Sequence, residues 1–195
     1  MSHIYLASKS PRRKEILKQL GITFTVKPSS INEDTYDDLS PAQKCVELAN
    51  GKAKHVAAQL KSGLVIGADT TVVFNGKAMD KPSSPSEAYK MLSTLSGNKH
   101  QVMTGVAVVN AGNRKVLTDR SITDVWFKAL NILDIEGYIK TGEPMDKAGA
   151  YGIQGIGSIF VDKIYGCYFN VVGLPISLLI KMLEAMDRPF FTSTK

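Results

Sequence analysis

The run LVIGADTTVVF at Leu64–Phe74 constrains this chain more than any other stretch. It is apolar almost throughout and rich in β-branched residues. Such a run reads as a strand buried on both faces, and so as part of a sheet covered by helices. Asn75-Gly76 after it is a hairpin signal, and a short return segment ends in Met79, Asp80, Lys81 and Pro82. Two residues interrupt the run. Gly67 marks a place where another group comes close. Asp69 puts a carboxylate where one is costly unless paired, protonated or bound to metal. Two readings stand: an Asp that caps a turn or pairs with a lysine, or a functional acid.

The remaining segments supply the covering layers. Ile4–Leu6 reads as a strand, and Pro11 to Leu20 as a helix with Ser10 as its N-cap and Pro11 in its first turn. Arg12, Arg13 and Lys14 in that first turn oppose the helix dipole, which favours anions there. Free backbone amides between Ser8 and Arg13, the Ser8 and Ser10 hydroxyls and two guanidiniums together make a phosphate pocket; the alternative is a basic turn lying in solvent. Thr23–Val26 is a weak strand and 28–39 a polar loop. Ser40-Pro41 opens a helix reaching about Leu60, closed by Gly63, and Ser84-Pro85 opens another to Leu95. Val102–Val109 and Val116–Phe127 read as strands, and Ile132–Thr141 as a helix. Met145–Gly157 is a glycine-rich loop, Ser158–Val161 and Tyr165–Phe169 are short strands, Pro175–Met186 is the last helix, and 187–195 is a frayed tail. About five helices and seven strands in mixed order predict an α/β fold with a mixed sheet. No composition shift marks a boundary, so residues 1–195 read as a single domain.

The net charge is +6, which suits anionic substrates, but the charges are dispersed and no block resembles a nucleic-acid arm. Cys45 and Cys167 stand apart with no zinc spacing, as expected of reduced, buried thiols in a cytosolic protein. The start lacks the pattern of a signal peptide, and no apolar run has the length of a membrane span. Glu33 and Asp34 lie in the polar loop. If that loop folds beside Asp69, carboxylates converge and suit Mg²⁺ or Mn²⁺. Lys52, Lys81 and Lys147 are ordinary as single lysines. Lys81 follows the hairpin from the Asp69 strand, and Lys147 stands in the glycine-rich loop, where backbone can approach a ligand. Gly149, Gly152, Gly155 and Gly157 bracket Tyr151 and Gln154 without matching a known phosphate-loop pattern. His3, His55 and His100 fall at no nucleophile or metal spacing, and the single Trp126 reads as core.

Taken together, LASKSPRRKEIL at the start, Glu33-Asp34, Lys52-Ala53, GADTTV at Gly67–Val72, DKP at Asp80–Pro82, LSG at Leu95–Gly97, EPMDKAGAYGIQG at Glu143–Gly155 and VVGLPIS at Val171–Ser177 resemble the Maf family of nucleotide pyrophosphatases. The resemblance covers nearly the whole chain. It implies an elongated mixed β-sheet with flanking helices and two lobes around a central cleft, similar to the inosine triphosphate pyrophosphatases. It implies a cytoplasmic enzyme, commonly a homodimer, that uses Mg²⁺, Mn²⁺ or Co²⁺ to hydrolyse a nucleoside triphosphate to the monophosphate and pyrophosphate. A link to septum formation is associated with the family. Asp69 corresponds to the family's acid, as general base or as metal ligand. Glu33 would help hold the metal, and Lys81 would act with them. Arg12, Arg13, Lys52 and Lys81 would neutralise the phosphate oxygens, with Ser8 and Ser10 donating hydrogen bonds to them, and Lys147 would bind substrate. Arg12, Thr70 and Gln154 look like the branch that acts on dTTP, UTP and modified uridine triphosphates. The partner implied is a small-molecule nucleotide, with neither nucleic acid nor membrane.

Three alternatives stay open at this level: a module that binds nucleotide or RNA without catalysis, a septation factor with a vestigial pocket, and a 7-methyl-GTP pyrophosphatase. Against the first, aromatic stacking pairs are not evident, and Asp69 with Glu33 would repel phosphate unless a metal intervenes.

Overall fold

The buried run at Leu64–Phe74 is strand β3 of a seven-stranded mixed sheet in the computed structural model, which describes residues 2–191. The other strands are β1 (Ile4–Leu6), β2 (Phe24–Val26), β4 (Lys77–Met79), β5 (Lys99–Asn110), β6 (Val116–Phe127) and β7 (Val161–Tyr165). Their order is β2-β1-β3-β5-β6-β7, with β4 paired to β3. β1 runs parallel to both β2 and β3. β4 returns antiparallel along the end of β3 through Asn75 and Gly76, both at positive φ, as the hairpin signal predicts.

The helices are α1 (Pro11–Gln19), α2 (Pro41–Ala57), α3 (Pro85–Leu95), α4 (Ile132–Lys140), α5 (Tyr168–Val172) and α6 (Ile176–Glu184). Their starts follow local chemistry. Ser84 Oγ accepts from Glu87 N at 3.2 Å. Asn131 Oδ1 accepts from Asp134 N at 2.9 Å, and Asp134 Oδ2 accepts from Asn131 N at 3.2 Å. α1, α2 and α3 each carry proline in the first turn, where a missing N–H costs nothing. No helix among the described residues is long and apolar enough to cross a membrane.

The chain clusters into two compact units, Met1–Asp69 with Thr104–Ser121 and Gly173–Lys195, and Thr70–Met103 with Ile122–Val172. Three of the changes from one unit to the other fall inside β3, β5 and β6. The first unit buries a cluster of small residues, among them Ala7, Ala49, Ala53, Ala57 and Ala107, and also Ile4, Leu6, Ile16, Leu17, Leu64 and Ile66. The second buries Leu92, Leu95, Phe127, Tyr138, Tyr151 and Phe160. Each large apolar side chain buried there contributes about 1.5–3 kcal/mol relative to exposure.

Several expectations need correction. α2 stops at Ala57, short of Leu60, and a turn leads to Gly63 at φ +106°. The two short strands placed at Ser158–Val161 and Tyr165–Phe169 are not there. Ile156–Phe160 is a 3-10 turn, β7 spans the segment read as the turn between them, and Tyr168 begins α5. Tertiary contacts override the local pattern. Phe160 is fully buried against the Tyr138 ring at 5.0 Å. The buried Asn170 ties α5 to Val102 O and Thr123 Oγ1, each at 2.9 Å. Trp126 is not core. It lies half-buried on β6 opposite Lys163, whose ammonium stands 4.6 Å from the ring centroid. Both cysteines are free, but only Cys45 is buried. Of the tail, residues 192–195 lie outside the described residues.

Candidate functional site

In the first unit the site begins with a close approach of backbone. A Cβ on Gly67 would stand 2.1 Å from Ala49 O, and one on Gly105 would stand 2.2 Å from Cys45 O. Both glycines exist because the α2 backbone lies directly against β3 and β5. Residues i and i+2 of a strand share a face, and i and i+3 of a helix share a side. The approach at Gly67 and Ala49 therefore also brings Asp69 and Lys52 together. Lys52 Nζ donates to Asp69 Oδ1 at 2.7 Å and lies 2.8 Å from Glu33 Oε1. The side chains of Lys52 and Asp69 are 13% and 18% exposed, whereas Glu33 is 54% exposed. The Lys52–Asp69 contact is thus mostly out of water and weakly screened, and the Glu33 contact faces solvent.

The polar loop does fold towards Asp69, with Lys52 as the bridge. Asp34 is not part of this group: its backbone N–H bonds to Asn32 Oδ1 at 3.2 Å and it starts a 3-10 turn. Asp69 pairs with a lysine, as the first of its two readings expects, and shares that lysine with a second carboxylate.

The Ser8–Arg13 loop is more internally bonded than the sequence suggests. Ser8 Oγ accepts from Ser10 N at 3.2 Å, and Ser10 Oγ caps α1 by accepting from Arg13 N at 3.5 Å. These two amides are therefore committed to hydroxyls, and the expectation of a fully free amide cradle is corrected. Arg13 turns inward and is 9% exposed. Its Nε donates to Gly173 O at 2.8 Å and a terminal nitrogen donates to Ser8 Oγ at 3.1 Å. Burial lowers the Arg13 pKa from its ordinary value, while the Asp69 carboxylate acts in the opposite sense. Arg12 is half-buried beside it. Ser8, Ser10, Arg12, Arg13, Glu33, Lys52 and Asp69 all belong to this unit.

Thr70, Lys81, Lys147 and Gln154 belong to the second unit. Thr70 is half-buried on β3, and Lys81 and Gln154 are exposed. The segment before Lys81 is tied to the glycine-rich loop, because Gly149 N donates to Asp80 O at 3.2 Å. Lys147 is engaged locally: its Nζ donates to Glu143 O at 2.6 Å and to Asp146 Oδ1 at 2.7 Å.

Residues that the sequence did not single out organise this loop. Glu143 accepts from Tyr138 OH and from the amides of Ile156 and Gly157. His100 is buried, and its Nε2 lies 2.7 Å from Tyr151 OH. Burial pushes the His100 pKa down to about 4, so the ring is neutral near pH 7. No periodicity signals these contacts, which join residues far apart in the chain.

Asp69 and Glu33 are hard oxygen donors that already face a common cation, Lys52 Nζ. No group of three or more His, Cys, Asp and Glu side chains among the described residues is placed to hold a metal. A pair of carboxylates fits a Mg²⁺-type ion, which takes its other ligands from water and substrate phosphates.

The chain matches the family of Maf-like proteins over residues 3–186. It is 48% identical to a dTTP/UTP pyrophosphatase of Carboxydothermus hydrogenoformans, covering 93% of this chain and 97% of that protein. It is 51% identical to a dTTP/UTP pyrophosphatase of Moorella thermoacetica, covering 94% of each. The fold is similar to that of the Staphylococcus aureus Ham1 protein. The TM-score is 0.55 at 15% identity, over 94% of this chain and 99% of that one.

Proposed function

The chain belongs to the Maf family, and on that footing we propose that it hydrolyses dTTP and UTP, and modified uridine triphosphates, to the monophosphate and pyrophosphate. The observation that carries this reading is the Glu33–Lys52–Asp69 group beside the Ser8–Arg13 loop within one unit. Two carboxylates around one ammonium, next to two arginines, form a place where water can be activated close to anionic oxygens.

In this reading, water attacks the α-phosphorus, and the bond from that phosphorus to the α,β-bridging oxygen breaks. Pyrophosphate leaves with the bonding pair. Asp69 takes the proton of the attacking water or orients it. Lys52 holds Glu33 and Asp69 at a fixed separation. Arg12, Arg13, Ser8 and Ser10, all of the first unit, would meet the phosphate oxygens; Lys81 and Lys147 are the cationic candidates of the second unit. A divalent cation (Mg²⁺, Mn²⁺ or Co²⁺) held by Asp69 and Glu33 would supply neutralisation of charge on those oxygens. Gln154 would read the base: a carboxamide accepts from N3–H of uracil or thymine and donates to a flanking oxygen, with Thr70 of the same unit as a second base-reading candidate. Cytoplasmic residence, assembly as a homodimer and a link to septation belong to the same proposal and rest on the family likeness.

The test is a panel of canonical and modified triphosphates with each metal, following both phosphate products. Pyrophosphate should form directly, with orthophosphate appearing only after an inorganic pyrophosphatase is added. dTTP and UTP should exceed CTP and the purine nucleotides in kcat/KM by about tenfold or more, the scale of a bidentate base contact. Direct release of orthophosphate with a nucleoside diphosphate, or preference for a guanine nucleotide, would overturn the proposal.

A further inference from the structure

The glycine-rich loop is held by a carboxylate–phenol clamp that brackets Gln154. Glu143 Oε1 accepts from Tyr138 OH at 3.0 Å and from Gly157 N at 3.2 Å, and its Oε2 accepts from Ile156 N at 3.1 Å. Tyr138 OH in turn accepts from Gly152 N at 3.3 Å. Gln154 therefore sits between two tethered points, one two residues before it and one two residues after. All of these groups lie within the second unit.

The clamp also accounts for the spacing of the glycines. Gly155 sits at φ +84°, and a Cβ there would stand 2.9 Å from a Glu143 carboxylate oxygen. A Cβ on Gly157 would stand 2.6 Å from Tyr138 OH. The loop thus wraps the Tyr138–Glu143 pair too closely for side chains at these positions. Glu143 is the better half of the clamp, because an ionised carboxylate accepting two backbone N–H groups and a phenol makes charge-assisted bonds. The amide and phenol bonds lower its pKa against the opposing effect of partial burial, so the clamp stays closed through the neutral range.

We infer that Glu143, acting with Tyr138, is a positioning residue that sets the pose of Gln154 and so sets base selectivity. This rests on the proposed dTTP/UTP activity. The Glu143 carboxylate bonds to two backbone amides and a phenol, and its nearby cation Lys147 belongs to the same loop, so its effect on substrate runs through the loop. Glu143→Gln keeps the volume but turns one acceptor oxygen into an NH₂ donor, which faces a backbone N–H whichever way the amide is placed.

The experiment measures kcat/KM for dTTP, UTP, CTP and a purine triphosphate in wild type, Glu143→Gln, Gln154→Ala and the double variant. Amide hydrogen exchange at Gly152, Ile156 and Gly157 is followed alongside. Glu143→Gln should reduce the preference for dTTP and UTP over CTP by roughly tenfold, mainly through KM, and should speed exchange at Ile156 and Gly157. In the Gln154→Ala background it should change selectivity no further, because both act through one side chain. Tyr138→Phe, which removes one O–H and leaves the carboxylate, should give a smaller change of the same kind and stands in if Glu143→Gln does not fold. Unchanged selectivity in Glu143→Gln, or an equal loss in both backgrounds, would overturn the inference. If wild type itself does not prefer dTTP and UTP, the proposed function fails instead; the clamp is then judged by exchange alone, and unchanged protection in Glu143→Gln overturns it.

Discussion

Gly67→Ala tests whether the close packing of α2 on β3 is what places Lys52 beside Asp69. The new Cβ would stand 2.1 Å from Ala49 O and 2.9 Å from Ala53 N, where ordinary contact begins at 3.4 Å. Relief requires movement of about 1.3 Å between the strand and the helix backbone, since neither obstructing atom belongs to a side chain that can rotate away. Overpacking of a close-packed interior costs about 1–3 kcal/mol, and a clash with two backbone atoms of α2 puts this substitution at the upper end. The functional effect comes from geometry. Lys52 Nζ now lies 2.7 Å from Asp69 and 2.8 Å from Glu33, so a shift of that size opens at least one contact beyond hydrogen-bond range. A misplacement of about 1 Å costs on the order of 10²-fold in turnover. Urea unfolding gives the first quantity, and kcat with dTTP and a divalent metal gives the second. A folded Gly67→Ala protein with wild-type stability and kcat would refute the argument that this glycine sets the site.

Three further outcomes are expected. Asp69→Asn keeps size and removes charge, so turnover should fall by about 10²–10⁴ while cooperative unfolding persists; near-normal turnover would remove Asp69 from the mechanism. His100 has its pKa pushed down to about 4 by burial, so the unfolded chain takes up this proton at a higher pH than the folded one. Stability should therefore fall as pH drops from about 6.5 towards 4, by up to ~1.4 kcal/mol per pH unit, and the slope between pH 7 and 5 should flatten in His100→Gln; an unchanged slope would refute it. Gly137 lies mid-helix in α4 with nothing within 4 Å of a new Cβ, so Gly137→Ala should raise stability by about 0.5–1 kcal/mol, and a lower Tm would contradict it.

The parts of the fold that were legible in the sequence are those set by local chemistry. β3 and α3 fall on the expected residues, because an apolar run and a Ser-Pro start are each sufficient signals. The segment after Gly157 was misread because the residues that decide it are distant: Tyr138 meets Phe160, and Val102 and Thr123 hold Asn170. No local signal marks the division into two units, since three of the four changes of unit fall inside strands rather than in a polar or glycine-rich linker; only the family resemblance implies two lobes. Within the site, Asp69 stood out because a carboxylate is conspicuous in an apolar strand. Glu33 and Lys52 drew notice only conditionally, since a loop acid and a helix lysine are unremarkable until α2 brings them together. Glu143 could not be singled out by spacing, because its backbone partners lie thirteen and fourteen residues further along.

The Lys52 pairing explains how Asp69 can stand in β3, but pairing is a poor reason for it to be there. Taking an acid and an ammonium largely out of water costs several kcal/mol per ion, and the attraction between them offsets this only in part. An apolar pair of similar volume at 52 and 69 would serve the interior of this unit at least as well, since Ala49, Ala53 and Val65 around it form a core of small apolar residues. Arg13 stands close enough to act on both carboxylates, so the group gathers two acids and two bases, and one of the acids, Glu33, is mostly in solvent. A group built only to hold α2 on the sheet has no use for that exposed acid. The proposed hydrolysis has one, because Glu33 and Asp69 would offer a divalent cation two oxygen donors beside the Ser8–Arg13 loop. The gathering of charge around Lys52 is therefore accounted for by the proposed chemistry rather than by stability.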